Sequence, residues 1–74
     1  MPPPTHRTPP LVRATVGGEA LHAYLLGWVG GRARITWVEA YHDEPHQWRW
    51  VETTLPSGDV EQLPGQSYLA VPKE

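Results

Sequence analysis

The dipeptide Gly30-Gly31 constrains the fold of this sequence more than any other feature. It lies between two segments, 21–29 and 32–41, that are rich in β-branched, aromatic and aliphatic residues. Two consecutive glycines supply the positive φ angles that a two-residue type I′ turn needs, so the pattern predicts a β-hairpin. Because such a turn fixes the register of its strands, Val29 is predicted to lie opposite Arg32.

The rest of the chain is divided by similar turn signals. Gly17-Gly18 ends an alternating segment in which Val12, Ala14 and Val16 share one face. Pro45 lies within a polar loop at 42–47, and Pro56 begins a turn. The predicted strands cover residues 11–16, 21–29, 32–41, 48–55 and 60–63, and residues 67–71 could add an edge strand. The pattern therefore predicts an all-β fold.

The N-terminal segment differs in composition from the rest. Residues 1–10 hold five of the nine prolines, and proline fixes φ and cannot donate to a strand ladder. We therefore expect residues 1–10 to form a disordered, proline-rich arm and residues 11–74 to form one small domain.

Length and charge exclude several classes of protein. The chain has 74 residues and no cysteine, so the four Trp and three Tyr must supply much of the core. The net charge of −2 argues against a strong nonspecific nucleic-acid binder. No apolar run approaches the length of a membrane span, and the N-terminus lacks the apolar core of a signal peptide. A cytoplasmic location is the resulting expectation.

One part of the sequence resembles a known fold family. In the segment from Trp50 to Glu61, a strand runs into a Pro-Ser turn and a short final strand, and this is similar to the end of an SH3-like barrel. The long second strand with its tight hairpin also looks SH3-like. The resemblance implies a small five-stranded SH3-like barrel. The first strand lacks the aromatic motif of true SH3 domains, so we take the fold from the family and not its proline-peptide activity.

Counting back from the Gly30-Gly31 turn predicts that Leu26 lies opposite Ile35 and Tyr24 opposite Trp37. If Tyr41 then pairs with Trp48, most of the aromatic residues share one face, which we expect to be the core. The residues of that face are Tyr24, Leu26, Trp28, Ile35, Trp37, Tyr41, Trp48 and Trp50. Glu39 and Glu52 interrupt this face, and their charges conflict with a core position.

The first candidate site is a rim beside the 42–47 loop, formed by Tyr41, Trp48, Trp50 and Glu39. Aromatic rings beside a carboxylate suit cationic groups, such as Lys or Arg in a peptide. In the alternative interpretation, these rings belong to the core and Glu39 lies at its edge. A mixed case, with one Trp buried and one partly exposed, is also open.

The second candidate is a stripe of arginines, Arg32, Arg34 and Arg49, which are predicted to share a sheet face with Thr36 and Thr53. Such a face could contact phosphates. The alternative interpretation is an ordinary solvated face with cross-strand pairs.

Metal and catalytic sites find little support in the sequence. His42 and His46 are four residues apart, but Pro45 lies between them and a zinc site needs three or four protein ligands. We predict no metal, no cofactor and no catalytic residue. The leading prediction is a non-enzymatic module that binds a protein or peptide. The alternatives are a nucleic-acid-binding accessory protein and an assembly component that pairs through an edge strand near Tyr68.

Overall fold

The computed structural model describes residues 9–40 and 47–74. Its strands form one antiparallel sheet in the order β4-β3-β2-β1-β5, and a 3-10 turn at Ser57–Asp59 joins the last two strands of the chain. The strands are β1 (Leu11–Val16), β2 (Glu19–Val29), β3 (Arg32–Ala40), β4 (Trp48–Pro56) and β5 (Val60–Gln62). The all-β prediction is confirmed. Residues 1–8 of the predicted arm lie outside the described residues, so its disorder stays a prediction.

The second strand is shared between two halves of the sheet. Residues from Glu19 to Tyr24 pair with β1, and residues from Tyr24 to Val29 pair with β3. The two pairings overlap only at Tyr24. A strand that pairs with one neighbour along its first half and with another along its second half is compatible with a small barrel, because the sheet can curve where the pairing changes.

The Gly30-Gly31 turn forms as predicted. Both glycines have positive φ, 55° and 81°, and Val29 lies opposite Arg32. Trp28 also lies opposite Ala33, as the count predicts. The turn chemistry therefore sets the first part of the register.

Beyond that point the predicted register is wrong, because β2 contains a bulge. Between Leu25 and Gly27 the register shifts by one residue, so Leu25 and not Leu26 lies opposite Ile35. Tyr24 lies opposite Thr36 instead of Trp37. The extra residue at Leu26 turns the preceding side chains to the other side of the sheet. Leu25 therefore lies in the core, and Tyr24 lies on the side opposite the core.

The register of β3 with β4 is also one residue away from the prediction. Ala40 pairs with Trp48, Glu39 with Arg49, and Val38 with Trp50. This register sets two opposite charges directly across from each other, which stabilises the pair. It also places Trp48 and Trp50 on the side of the sheet opposite the core, whereas the prediction placed them in the core.

The core is small and lies on one face of the sheet, which we call the core face. Its members are aliphatic side chains from the first three strands and from residues 63–74, which we call the C-terminal segment: Val12, Ala14, Ala23, Leu25, Ala33, Ile35 and Val71. Trp28 and Trp37 pack against this cluster and are half-buried. We call the opposite face, which includes Tyr24 and Trp50, the outer face.

The C-terminal segment packs against β2 beside the bulge. The Trp28 amide donates to the backbone oxygen of Pro72 (2.8 Å), and the Glu74 amide donates to that of Trp28 (2.6 Å). Tyr68 lies over β1, where its hydroxyl accepts from the Leu63 amide and donates to the backbone oxygen of Leu11. Residues 67–71 therefore turn back over the sheet and do not form the predicted edge strand.

Gly27 permits the close approach of this segment. A Cβ atom at this position would lie 2.9 Å from a Glu74 carboxylate oxygen and 3.3 Å from the Pro72 backbone oxygen. We expect Gly27→Ala to push the segment away and to lower the free energy of unfolding by about 1–2 kcal/mol, since the two hydrogen bonds to Trp28 weaken. Urea denaturation measures this loss. Gly58→Ala is the control, because nothing lies within 4 Å of its Cβ position. Equal stability of the two variants would contradict the expectation.

Candidate functional site

Two tryptophans are exposed on the outer face of β4. Trp48 and Trp50 each expose 64% of their surface, and Val38, opposite Trp50, exposes 41%. Tryptophan is among the largest apolar side chains, and exposed apolar clusters of this kind mark binding surfaces more often than scattered apolar residues do. Together with Tyr24, these residues form what we call the outer aromatic patch: Tyr24, Val38, Trp48 and Trp50.

The local structure of three strands positions this patch. The bulge in β2 turns Tyr24 to the outer face, where its ring lies 6.2 Å from that of Trp50 at an interplanar angle of 46°. The distance and tilt fall within the range of favourable aromatic pairs. Trp48 lies two residues before Trp50 on the same strand, so both project from one side of β4.

Polar groups lie beside the patch on the same face. Arg34 is positioned between two carboxylates, with nitrogen–oxygen distances of 2.8 Å to Glu74 and 3.8 Å to Glu52. The Thr36 hydroxyl donates to the backbone oxygen of Val51 (2.8 Å). An apolar centre beside hydrogen-bonded polar residues is the usual anatomy of a protein interface.

The structure brings together only part of the predicted rim. Trp48 and Trp50 lie side by side, but Glu39 is on the core face, because it shares that side of β3 with Trp37. Its carboxylate accepts from the indole nitrogen of Trp37 (2.9 Å) and lies 3.7 Å from Arg49. The prediction that Glu39 joins the two tryptophans is therefore wrong. Tyr41 lies outside the described residues.

The predicted arginine stripe is divided between the two faces. Arg32 and Arg34 lie on the outer face, whereas Arg49, opposite Glu39, lies on the core face. Arg32 donates to the backbone oxygen of Thr54 (3.1 Å), and Arg34 is held by its two carboxylates. The prediction that all three share one face is wrong because the β3–β4 register differs by one residue.

Tyr24 and Val38 are the site residues that sequence reasoning missed. Strict alternation placed Tyr24 in the core, and Val38 was assigned to no candidate site. The signal for Tyr24 was Gly27, because a glycine inside a strand often marks a bulge or a close backbone approach. The sequence signal for Val38 was the pair of opposite charges at Glu39 and Arg49. Pairing these two residues favours the observed register, which places Val38 opposite Trp50.

A separate cleft of about 380 Å³ lies beside the bulge, between β2 and the C-terminal segment. Pro9, Pro10, Leu26 and Val71 are among the residues that line it. The described residues that line it carry no titratable side chain.

Neither a cluster of metal ligands nor a membrane-spanning helix is found among the described residues. Within residues 9–40 and 47–74, no three His, Cys, Asp or Glu side chains are placed to hold a metal ion, and His42 and His46 lie outside these ranges. In the same part of the chain, no helix has the length and apolar character needed to cross a bilayer. No family model, no curated protein and no solved structure matches this chain.

Proposed function

We propose that this protein is a non-enzymatic interaction module on a small SH3-like barrel, which binds a protein or peptide partner through the outer aromatic patch. The observation that carries the proposal is the exposure of Trp48 and Trp50, at 64% each, on one face of one strand. Tryptophan, tyrosine and arginine are the residues that most often supply the binding energy of interfaces.

The composition of the patch favours a protein partner over a small molecule. The patch lies on a sheet face that three strands form, and three of its four residues are aromatic. Small-molecule sites are usually concave and enclose most of the ligand. An exposed face with a contacting pair of rings, Tyr24 and Trp50, instead suits the apolar centre of an interface.

The strand order supports the SH3-like part of the proposal. The final strand β5 pairs with β1, and β2, β3 and β4 follow as consecutive hairpins. The bulge in β2 bends a long strand, as closure of a small sheet into a barrel requires.

Phage display tests the proposal. A library of random linear peptides is selected for binding to the full chain. We expect selected peptides to bind Trp50→Thr at least about tenfold more weakly, since a central interface tryptophan commonly contributes more than the equivalent free energy. Leu69→Thr is the matched control, because Leu69 is 98% exposed and lies outside the patch. It should bind within about twofold of the native chain.

Thermal denaturation of the same variants separates loss of binding from loss of fold. Because Trp50 is mostly exposed, we expect Trp50→Thr to unfold within a few degrees of the native chain. Equal binding by Trp50→Thr and the native chain would refute the proposed site. Collapse of the fold on replacing either Trp48 or Trp50 would show that the rings are structural.

A further inference from the structure

Strand β4 lies at one end of the sheet that the described residues form. It is the last strand of the sheet and pairs with β3 through all nine of its residues. Among the described residues, no strand pairs with its other edge. The unpaired N–H and C=O groups of an edge strand can bind another extended chain.

One side-chain contact identifies the backbone groups that point to this edge. The Thr36 hydroxyl reaches the Val51 backbone oxygen from β3 (2.8 Å), so that oxygen points toward β3. Backbone groups of successive strand residues point to opposite sides. The N–H and C=O groups of Trp48, Trp50 and Glu52 therefore point to the open edge.

A second contact limits the length of the open edge. Arg32 donates from its guanidinium to the backbone oxygen of Thr54 (3.1 Å), and its Nε lies 3.4 Å from the hydroxyl of the same residue. The next backbone oxygen on this side after that of Glu52 belongs to Thr54, and it is therefore already hydrogen-bonded to Arg32. Within residues 9–40 and 47–74, no strand pairs with β4 on this side between Trp48 and Glu52.

We propose that the partner binds as an extended segment that adds a strand to this edge of β4, antiparallel to it. This inference rests on the proposed function and specifies its mode. The residues whose backbone groups face the edge are the same residues whose side chains lie on the outer face. Backbone pairing would supply affinity, and alternate side chains of the partner would lie beside the outer aromatic patch and supply specificity.

The side chains of β4 define the chemistry of the partner. A partner residue opposite Glu52 is basic, and those opposite Trp50 and Trp48 are aromatic or apolar. On the other face, the residue opposite Arg49 is acidic. Read in the antiparallel direction, this chemistry corresponds to the peptide order Lys-Val-Tyr-Glu-Ile.

A second copy of β4 fits this edge poorly. In antiparallel pairing about a two-fold axis, directly opposed residues share a face, so even-numbered residues of β4 meet even-numbered ones. Glu52 would then meet Trp48, Trp50, Thr54 or another Glu52, and Arg49 would meet Val51, Thr53, Leu55 or another Arg49. Glu52 and Arg49 already have opposite charges at 3.8 Å (Arg34) and 3.7 Å (Glu39) within the chain. No register with a second copy adds a further opposite charge beside either of them, whereas a chain of different sequence can add both, which favours a different chain as the partner.

Synthetic peptides and the full native chain test the mode of binding. The probe is Thr-Lys-Val-Tyr-Glu-Ile-Thr, titrated to millimolar concentration and followed by amide chemical shifts. Its tyrosine N–H would point at Trp50, whereas its glutamate N–H would point away. We expect N-methylation of the tyrosine to weaken binding at least about tenfold, because it removes a backbone hydrogen bond and adds a clash. N-methylation of the glutamate is the matched control and should weaken binding less than about threefold.

A charge-exchanged peptide, Thr-Glu-Val-Tyr-Lys-Ile-Thr, tests the partner chemistry. We expect it to bind about fivefold more weakly, because like charges then face Glu52 and Arg49. Sedimentation of the chain without peptide should show a monomer at all concentrations. If the chain forms a dimer that the peptide dissociates, a second copy occupies this edge. That result would overturn the proposal that the partner is a different chain.

The remaining outcomes separate this inference from the proposed function. Equal binding of the two N-methylated peptides, or no shift at millimolar peptide, would overturn strand addition. If library peptides still lose affinity for Trp50→Thr, the outer aromatic patch binds partners in another way. If Trp50→Thr changes nothing, the proposed function itself fails.

Discussion

Replacing Leu25 with alanine is expected to lower the free energy of unfolding by about 3 kcal/mol. Leu25 is 1% exposed and is among the largest fully buried side chains. In a small, marginally stable domain with no disulfide, such a loss is a large part of the total stability. Urea denaturation followed by circular dichroism measures it.

The same change at the neighbouring residue is the matched control. Leu26 occupies the bulge and is only half-buried beside the cleft, so Leu26→Ala should lower the free energy of unfolding by about 1 kcal/mol or less. The predicted register has no bulge and places Leu26 in the core. Under that register, Leu26→Ala would lower the free energy of unfolding more than Leu25→Ala. A larger loss for Leu26→Ala would therefore contradict the bulge.

Replacing Trp37 with alanine is expected to cost about 3 kcal/mol, whereas Trp50→Ala should cost less than about 1 kcal/mol. Trp37 packs against the core cluster, and its indole nitrogen donates to Glu39. Trp50 lies on the outer face and is mostly exposed. The two variants remove identical side chains from opposite faces, so their difference measures the role of each face.

Trp37→Phe separates packing from hydrogen bonding in this comparison. It retains most of the ring volume but cannot donate to Glu39, so we expect a loss of about 1 kcal/mol. Equilibrium unfolding in guanidinium provides the measurement. Equal losses for Trp37→Ala and Trp50→Ala would mean that the sheet does not have one core face.

The secondary structure could be predicted from local signals. Gly30-Gly31 requires a turn with positive φ, and the alternating segments on either side have few other arrangements in so short a chain. The five strands and the first part of the β2–β3 register follow from these signals. Local turn chemistry acts over few residues, so its consequences are visible in the sequence.

The sidedness of the strands could not be predicted by alternation alone. A single extra residue at Leu26 inverts every side chain before it, and the 42–47 loop has no turn signature that fixes the next register. The prediction paired Tyr41 with Trp48 and took the more apolar of the two resulting faces as the core, which assigned Trp48 and Trp50 to the core. The conflict of Glu39 and Glu52 with a core position was the sign of this error.

The candidate site was therefore predicted only in part. Trp48 and Trp50 were named as one pair, and the structure places them together on a surface. Glu39 was assigned to them through the wrong register, and Tyr24 was assigned to the core. Side chains that come from separate strands depend on long-range pairing, which no local pattern in this sequence specifies.

The position of β4 at the end of the sheet has a consequence for the energetics of recognition. Within this strand every side chain is exposed or half-buried, and in the part of the chain that the structure describes its backbone ladder partners all belong to β3. Local opening that releases β4 should therefore cost less free energy than opening that separates β1 from β2. A partner bound to β4 would stabilise the closed form by mass action. The measured affinity would thus include the cost of closing this strand, and amide exchange along β4 would slow in proportion to partner concentration.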